Sequence, residues 1–153
     1  MEYRLANEKD LDGLCSIRNN KDLFISYLHQ YQRKEVYLVI AEQNKIIIGF
    51  GVLKLKGNLV PKLSDLHVIE SYRGNGVGSD LIKFREKVVK DLGYSSIFVS
   101  VDPIENPKMI KLITKHGYKA FTEPYLKSAV FYNKDGTTYD KTYTRIDLIK
   151  LLN

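Results

Sequence analysis

The decisive stretch of this sequence is Val68-Ile69-Glu70-Ser71-Tyr72-Arg73-Gly74-Asn75-Gly76-Val77-Gly78-Ser79. It follows an apolar strand and leads into a helix that we expect to begin at about Ser79. Three glycines at alternate positions leave backbone N–H groups uncovered by side chains, and the N-terminus of the helix adds further N–H groups and the positive end of its dipole. The stretch therefore predicts a turn that binds an anionic group such as a phosphate.

The spacing of the glycines separates this turn from two common phosphate-binding motifs. A Walker A loop ends in Gly-Lys-Ser or Gly-Lys-Thr, whereas Gly78 is followed by Ser79-Asp80. A dinucleotide-binding loop needs Gly-x-Gly-x-x-Gly, and counting from Gly74 puts Ser79 at the last glycine position. The pattern that remains is Arg73-x-x-Gly76-x-Gly78.

Length and composition limit the class of protein. The chain has 153 residues, of which 44% are hydrophobic and 27% charged, and this predicts one globular domain over residues 1–153 with a core that needs no metal or disulfide. A single cysteine, Cys15, excludes an internal disulfide and a site of several thiolates, so no metal is expected. No apolar run approaches the ~20 residues of a membrane span, and the opening residues do not resemble a signal peptide, so we expect a cytoplasmic protein without membrane contact.

The net charge of +6 favours anionic ligands. Lysine and arginine are scattered in ones and twos among acidic residues and form no basic run, which makes nucleic acid the less favoured ligand and a cofactor with several phosphates the better one.

Hydrophobic periodicity predicts an alternation of short strands and helices. The expected order is a strand over residues 2–6, a helix capped by Asn7, a helix over 21–32, strands over 36–42, 46–55 and 59–68, a helix over 79–92, a strand over 96–101, a helix from Asn106-Pro107 to His116-Gly117, a strand over 118–121, and a final pair around the turn at 133–136 with its last strand over 137–146. Because a strand–helix–strand crossover makes its strands parallel, the strands that end at Val68 and begin at Ser96 should be parallel.

A second motif lies on the helix that Asn106 begins. It reads Asn106-x-x-Met109-x-x-Leu112-x-x-x-x-Gly117-Tyr118. Together with Arg73-x-x-Gly76-x-Gly78, it resembles the GNAT superfamily of acyl-CoA N-acyltransferases over nearly the whole chain. The resemblance implies an α/β fold with a mixed, mostly antiparallel central sheet, one parallel βαβ crossover and helices on both faces. It also implies acetyl-CoA as cosubstrate.

The resemblance further implies which residues hold that cosubstrate. Backbone groups of Leu66, His67 and Val68 would pair with the pantetheine arm, and the Val68 N–H would face the thioester oxygen. Asn106 would reach the arm from its other side, although a helix cap explains it equally well. The side chain of Arg73 would either contact a phosphate or brace the loop. The amides implied to hold the pyrophosphate are those of Arg73, Gly74, Asn75, Gly76, Val77, Gly78 and Ser79.

The implied reaction is the direct attack of a primary amine on the thioester in a ternary complex, and the usual catalytic side chains depart from the family pattern. The tyrosine acid four residues before the closing glycine is Ile113 here, and Tyr118, Tyr125, Tyr139 and Tyr143 are the hydroxyls that could substitute for it. The strand positions that often carry Glu or His, six and four residues ahead of the valine, hold Lys62 and Ser64.

Asp65 and His67 are the other candidates for a base. They alternate to the opposite face of the strand from Lys62 and Ser64, unless a β-bulge re-aims one of them. His67 has a suitable unperturbed pKa, yet a structural histidine explains it as well. These departures keep open a second function, a GNAT-fold module that binds acyl-CoA with little or no turnover.

The acceptor amine is not specified by the sequence. In the resembled family the first two helices border its site, where Tyr27, His29 and Tyr31 would contact it, although tyrosines at helical spacing also fit a core. Glu123 is an acid that would attract a cationic amine, or a solvated loop residue. A homodimer is compatible with the sequence.

Overall fold

The computed structural model describes residues 1–133 and 135–153. Contacts within the chain group it into two compact units, residues 1–98 with 151–153, and residues 99–150. Lys134, in the predicted turn at 133–136, lies outside the described residues.

Strands and helices follow one another along the chain in the predicted order. They are β1 (Glu2–Leu5), α1 (Leu11–Ile17), α2 (Lys21–Gln32), β2 (Val36–Gln43), β3 (Ile46–Lys54), β4 (Lys62–Val68), α3 (Val77–Asp91), β5 (Ser96–Val101), α4 (Pro107–Lys115), β6 (Lys119–Ala120), β7 (Tyr125–Tyr132) and β8 (Thr138–Leu151). Among the described residues, no helix has both the length and the apolar character needed to cross a lipid bilayer.

The first unit is built on the antiparallel strands β1 to β4, in that order, followed by β5, which is parallel to β4. The parallel pair confirms the predicted crossover through α3. Residues of β2 and β3 alternate between two apolar clusters because successive side chains of a strand point to opposite faces. The cluster beneath α1 and α2 contains Leu14, Phe24, Tyr27, Leu38, Ile40, Phe50 and Val52. The cluster beneath α3 contains Val39, Ala41, Ile48, Val77 and Leu81.

The second unit contains the last three residues of β5, 99–101, and centres on β8, which pairs with both β6 and β7. The β7–β8 pair is antiparallel from Tyr125 opposite Arg145 to Tyr132 opposite Thr138, as predicted. Asn106 caps α4 by accepting a hydrogen bond from the Met109 amide at 3.3 Å.

Several element boundaries differ from the sequence prediction. Helix α3 begins at Val77, before the expected Ser79, because Gly76 takes a left-handed conformation (φ 83°) and the helix starts directly after it. Strand β4 begins at Lys62 and not at Leu59, whose φ of 53° is incompatible with a strand. Strand β8 continues beyond Ile146 to Leu151.

An ion-pair cluster links β1 to Asp10, the residue just before α1, and to Glu42 of β2. The Arg4 guanidinium donates to Asp10 Oδ1 at 2.8 Å and to Glu42 Oε2 at 2.6 Å. Burial by itself raises the pKa of Asp10, but the hydrogen bonds from Arg4 and from the Asn7 amide outweigh it, so that the pKa of this carboxyl lies below its ordinary value. Asp10 is therefore charged at neutral pH and pairs with the Arg4 guanidinium.

Substitution Arg4→Met leaves both carboxylates without their cation. We expect the free energy of unfolding at pH 7 to fall by about 2–4 kcal/mol, since a shielded charge that loses its partner is costly. The control is Arg33→Met, because Arg33 is exposed. This substitution should change the free energy of unfolding by less than about 0.5 kcal/mol. Urea unfolding measures both values. The difference between Arg4→Met and wild type should narrow in acid, where Asp10 is protonated. Equal stability of the two variants at pH 7 would contradict the prediction.

Candidate active site

The turn between β4 and α3 contains two glycines that need their backbone freedom. A short 3₁₀ turn, Glu70–Tyr72, follows β4. Gly74 and Gly76 then adopt φ angles of 82° and 83°, in the left-handed region that residues with a Cβ rarely occupy. These two residues turn the chain so that α3 starts immediately at Val77.

The N-terminus of α3 has the chemistry of an anion site. Its first intrahelical hydrogen bond runs from the Asp80 amide to Gly76 O at 2.9 Å. Helix geometry therefore gives the amides of Val77 and Gly78 no intrahelical acceptor, and the helix dipole adds a positive field at the same end. Val77 itself is only 2% exposed and anchors this first turn in the core.

Side chains of the loop hold its shape. The Arg73 Nε donates to Val68 O at 2.9 Å, so Arg73 braces the loop against the end of β4. The Arg73 amide donates to Glu70 O at 3.1 Å. Asn75 Nδ2 donates to Tyr72 O at 3.3 Å. Of the two roles considered for the Arg73 side chain, bracing is present in the structure.

The backbone groups of β4 alternate between the side of β3 and the opposite side of the strand. Gly49 lies opposite Val68 in the antiparallel pair, and the Ile69 amide donates to Ile48 O at 2.9 Å. In an antiparallel pair, successive residues direct their N–H and C=O groups alternately toward the partner strand and away from it. The amides of Val68 and Leu66 therefore point away from β3.

A β-bulge interrupts the pairing of β4 with β3. The register shifts between Gly51 and Leu53, so that Val52 alone lies opposite the two residues Ser64 and Asp65. An extra residue on one strand reverses the alternation of its side chains on the two sides of the bulge. The sequence left such a bulge as the one way to re-aim a side chain of this strand, and the structure contains it.

The bulge brings Lys62, Asp65 and His67 to one face of β4. Lys62 lies opposite Lys54 and His67 opposite Phe50, and these two β3 residues share a face because they are four positions apart. Plain alternation would turn Asp65 and His67 away from Lys62, and the exception that the sequence allowed for a β-bulge is the arrangement present. The shared face is the one that carries α1 and α2.

Asp65 is the centre of a polar cluster on that face. Its Oδ2 accepts hydrogen bonds from the Tyr27 hydroxyl on α2 at 3.0 Å and from Arg18 Nη1, just after α1, at 3.4 Å. Burial, followed by the neighbouring Asp65 carboxylate, raises the pKa of Tyr27, so this hydroxyl stays protonated and donates. Tyr27 is also 6% exposed and belongs to the core, which is one of the two roles predicted for it, and its contact with the acceptor stays a prediction.

His67 lies beside Asp65 and stacks on Phe50, with ring centroids 5.0 Å apart and an interplanar angle of 20°. Burial lowers the pKa of His67 below its usual value, Arg18 and Arg73 lower it as well, and Asp65 opposes them. The imidazole is therefore neutral at pH 7 and able to accept a proton.

The other candidate residues have contacts of their own. Ile113 is 1% exposed and fills the core of the second unit, as does Tyr118. Tyr125 donates to Asp147 Oδ1 at 2.7 Å, and Tyr139 stacks on Phe131. On α2, His29 is exposed and Tyr31 packs against Tyr37.

Sequence reasoning missed Arg18 and Arg85. Arg85 is 1% exposed and donates to backbone carbonyls at the bulge. Its signal was present, because Arg85 lies four residues after Leu81 and four before Val89 and so falls on the apolar stripe of α3. Arg18 follows a predicted helix in a polar segment, where nothing marks it.

The coupling of His67 to its neighbours can be measured by NMR titration. The pKa of His67 should lie below 6.5 in the wild type. Asp65→Asn should lower it further, because the Asp65 carboxylate raises it, and Arg18→Met should raise it. His67→Gln identifies the signal among those of His29, His67 and His116. A pKa that moves in the same direction in both variants would refute this electrostatic arrangement.

Comparison with known proteins now relates this geometry to a family. Residues 7–118 match the Acetyltransferase (GNAT) family. Similar solved structures include ribosomal-protein-alanine N-acetyltransferase from Brucella melitensis, with 16% identity, coverage of 99% of this chain and 100% of that chain, and a TM-score of 0.75. They also include yncA, a putative acetyltransferase from Salmonella typhimurium with its cofactor acetyl-CoA, with 14% identity, coverage of 100% and 94%, and a TM-score of 0.74.

A third similar structure is the aminoglycoside 6'-acetyltransferase type Ii, with 22% identity, coverage of 99% of this chain and 97% of that chain, and a TM-score of 0.70. No curated protein sequence matches the chain. The structural likenesses show the fold, and the family match extends over well over half of the chain. The chain therefore belongs to the acetyltransferase (GNAT) family, which confirms the family, the fold and the acetyl-CoA-dependent enzyme class that the sequence predicted.

Proposed function

We propose that the protein transfers the acetyl group of acetyl-CoA to a primary amine by direct attack in a ternary complex. The observation that carries the proposal is the arrangement around β4 in a chain of this family. At the end of β4, the Val68 amide points away from β3 and the glycine turn leads into the N-terminus of α3. On one face of the same strand lie a carboxylate and a neutral imidazole.

Backbone groups of the first unit would hold the donor. The amides from Gly74 to Ser79 suit the pyrophosphate of CoA, whereas the Arg73 amide is engaged with Glu70 O. Leu66 and Val68 suit the pantetheine arm, because the backbone groups of His67 face β3. The Val68 N–H would donate to the thioester oxygen, on which negative charge develops during attack. A role of Asn106 at the arm stays a prediction beside its observed function as the cap of α4.

The face that bears Asp65 and His67 would receive the amine. A lysine-like amine with a pKa near 10.4 needs about 4.6 kcal/mol to reach its neutral form at pH 7, so a group that takes its proton assists the attack. We assign the proton to His67, directly or through water, because its imidazole is neutral. Asp65 would attract the ammonium form and keep its donors Tyr27 and Arg18 in place.

Departure of the CoA thiolate does not depend on a dedicated acid. Ile113 occupies the position of the usual tyrosine and is buried. A thiol with a pKa near 8.5 gives a tolerable leaving group, while general acid catalysis contributes typically ~10² to 10⁴ in rate. We therefore expect turnover that is slow for an acetyltransferase. Ile113 is also the observation that favours the second candidate function, a module that binds acyl-CoA without turnover.

A thiol-release assay with acetyl-CoA decides between the two functions. The panel should contain polyamines, amino acids, aminoglycosides and peptides with free N-termini. We expect CoA release with at least one amine and a loss of about 10²-fold in kcat for His67→Gln, as is typical when a proton acceptor is removed. His29→Gln, an exposed histidine, is the matched control. Acetyl-CoA binding without thiol release for every amine would establish the binding module instead.

Gly76→Ala tests the donor loop. An added Cβ would meet no atom within 4 Å at this position, so the cost arises from the left-handed φ of 83° alone. At about 1–2 kcal/mol, this cost predicts CoA binding that is weaker by roughly 5- to 30-fold. Gly93→Ala has the same type of strain (φ 94°) at the other end of α3 and should leave the Kd unchanged. Calorimetric titration with CoA measures both, and equal Kd values for the two variants would argue against this loop.

A further inference from the structure

The bulge in β4 needs hydrogen-bond donors that a regular ladder does not provide. Ser64 and Asp65 share the single partner Val52, and a bulge leaves the extra residue unpaired in the ladder. Backbone carbonyls that are shielded from water are nearly always hydrogen-bonded, because an unsatisfied one is costly. The structure supplies the donor from the helix that follows the glycine turn.

Arg85 of α3 provides these hydrogen bonds from inside the protein. Its Nη1 donates to Val52 O at 2.9 Å, to Ser64 O at 3.2 Å and to Asp65 O at 3.5 Å. Its Nε donates to Leu81 O in its own helix at 3.1 Å, which fixes the plane of the guanidinium. One nitrogen thus contacts the carbonyl on each strand at the place where the register shifts.

Gly51 gives the guanidinium its space. A Cβ at this position would lie 2.7 Å from Arg85 Cζ and 2.8 Å from Nε, closer than atoms approach in proteins. Gly51 has no positive φ that would require a glycine. The guanidinium of Arg85 occupies the space that a side chain at position 51 would need. Gly51 of β3 therefore allows Arg85 of α3 to reach the bulge.

We propose that Arg85 is a positioning residue for acetyl transfer, which holds the β4 bulge so that Asp65 and His67 share the face of α1 and α2. The proposal rests on the function proposed above for that face. A strand that loses the bulge shifts its register by one residue and turns either the residues before it or those after it to the other face. A lysine cannot substitute, because its single ammonium has no second nitrogen comparable to Nε, whose hydrogen bond to Leu81 O fixes the donor at the bulge.

The tests are the variants Arg85→Met and Arg85→Lys, with Lys87→Met as the control. Lys87 is exposed on the same helix, so its replacement removes the same charge without touching the bulge. We expect kcat to fall by about 10- to 100-fold in both Arg85 variants while the KM for acetyl-CoA changes by less than about threefold, since the donor loop keeps its backbone. An unchanged kcat in folded Arg85→Met, or full activity in Arg85→Lys, overturns the proposal.

A second readout does not depend on turnover. The shift that Asp65→Asn causes in the pKa of His67 measures how closely the two side chains are held. We expect this shift to shrink by at least half in the Arg85→Lys background and to be retained in the Lys87→Met background. The comparison of shifts cancels any direct effect of the charge of Arg85 on His67. An undiminished shift overturns the proposal.

Gly51→Ala covers the case in which the Arg85 variants do not fold. This variant keeps the arginine but forces its guanidinium away from the carbonyls. It should therefore show the same loss in kcat and the same smaller shift in the pKa of His67. Wild-type values of kcat and of the pKa shift in this variant overturn the proposal. If the wild type releases no thiol with any amine, the proposed function is wrong, and this result does not test the role of Arg85. The pKa shifts then still decide whether Arg85 holds Asp65 beside His67.

Discussion

Two residues of β4 lie opposite one residue of β3, and this pairing decides which side chains of the strand meet. In a regular ladder, Lys62 and Asp65 would face opposite sides of the sheet, because successive side chains alternate. With Ser64 and Asp65 opposite Val52, Lys62, Asp65 and His67 share the face of α1 and α2. On that face Asp65 accepts hydrogen bonds from Tyr27 and Arg18, and His67 stacks on Phe50.

Two parts of β4 carry different kinds of polar group, backbone amides at its end and titratable side chains on one face. Toward its end, the groups that we propose for the donor are backbone amides: Val68 on the side of β4 away from β3, then the turn with Gly74 and Gly76, then the first turn of α3. Amides hold phosphates and a developing oxyanion without a change of protonation, so this part needs conformation more than side chains. On the α1–α2 face, the groups are titratable side chains whose behaviour depends on burial and neighbouring charge. A single helix, α3, serves both parts, since its N-terminus completes the turn and Arg85, farther along it, reaches the bulge.

Much of the fold could be predicted because it depends on local patterns. Helix α2 and strand β5 have the predicted bounds, and the parallel pair follows from a crossover whose handedness and direction are general. The glycine turn was predicted because its glycines have a fixed spacing, which excluded the two other common phosphate-binding loops. The start of β4 was missed, since the sequence does not show the left-handed Leu59 that precedes it.

The sequence by itself determined the order of elements, the glycine turn, and through its two motifs the GNAT family with acetyl-CoA as cosubstrate. These features are encoded over a few neighbouring residues, where spacing alone is sufficient. Only the tertiary structure decided that Asp65, His67, Tyr27 and Arg18 meet, and that Arg85 and Gly51 accompany the bulge. A bulge is stabilised by contacts between β3, β4 and α3, up to 33 residues apart for the bond between Arg85 and Val52, and such contacts leave no periodic signal along the chain.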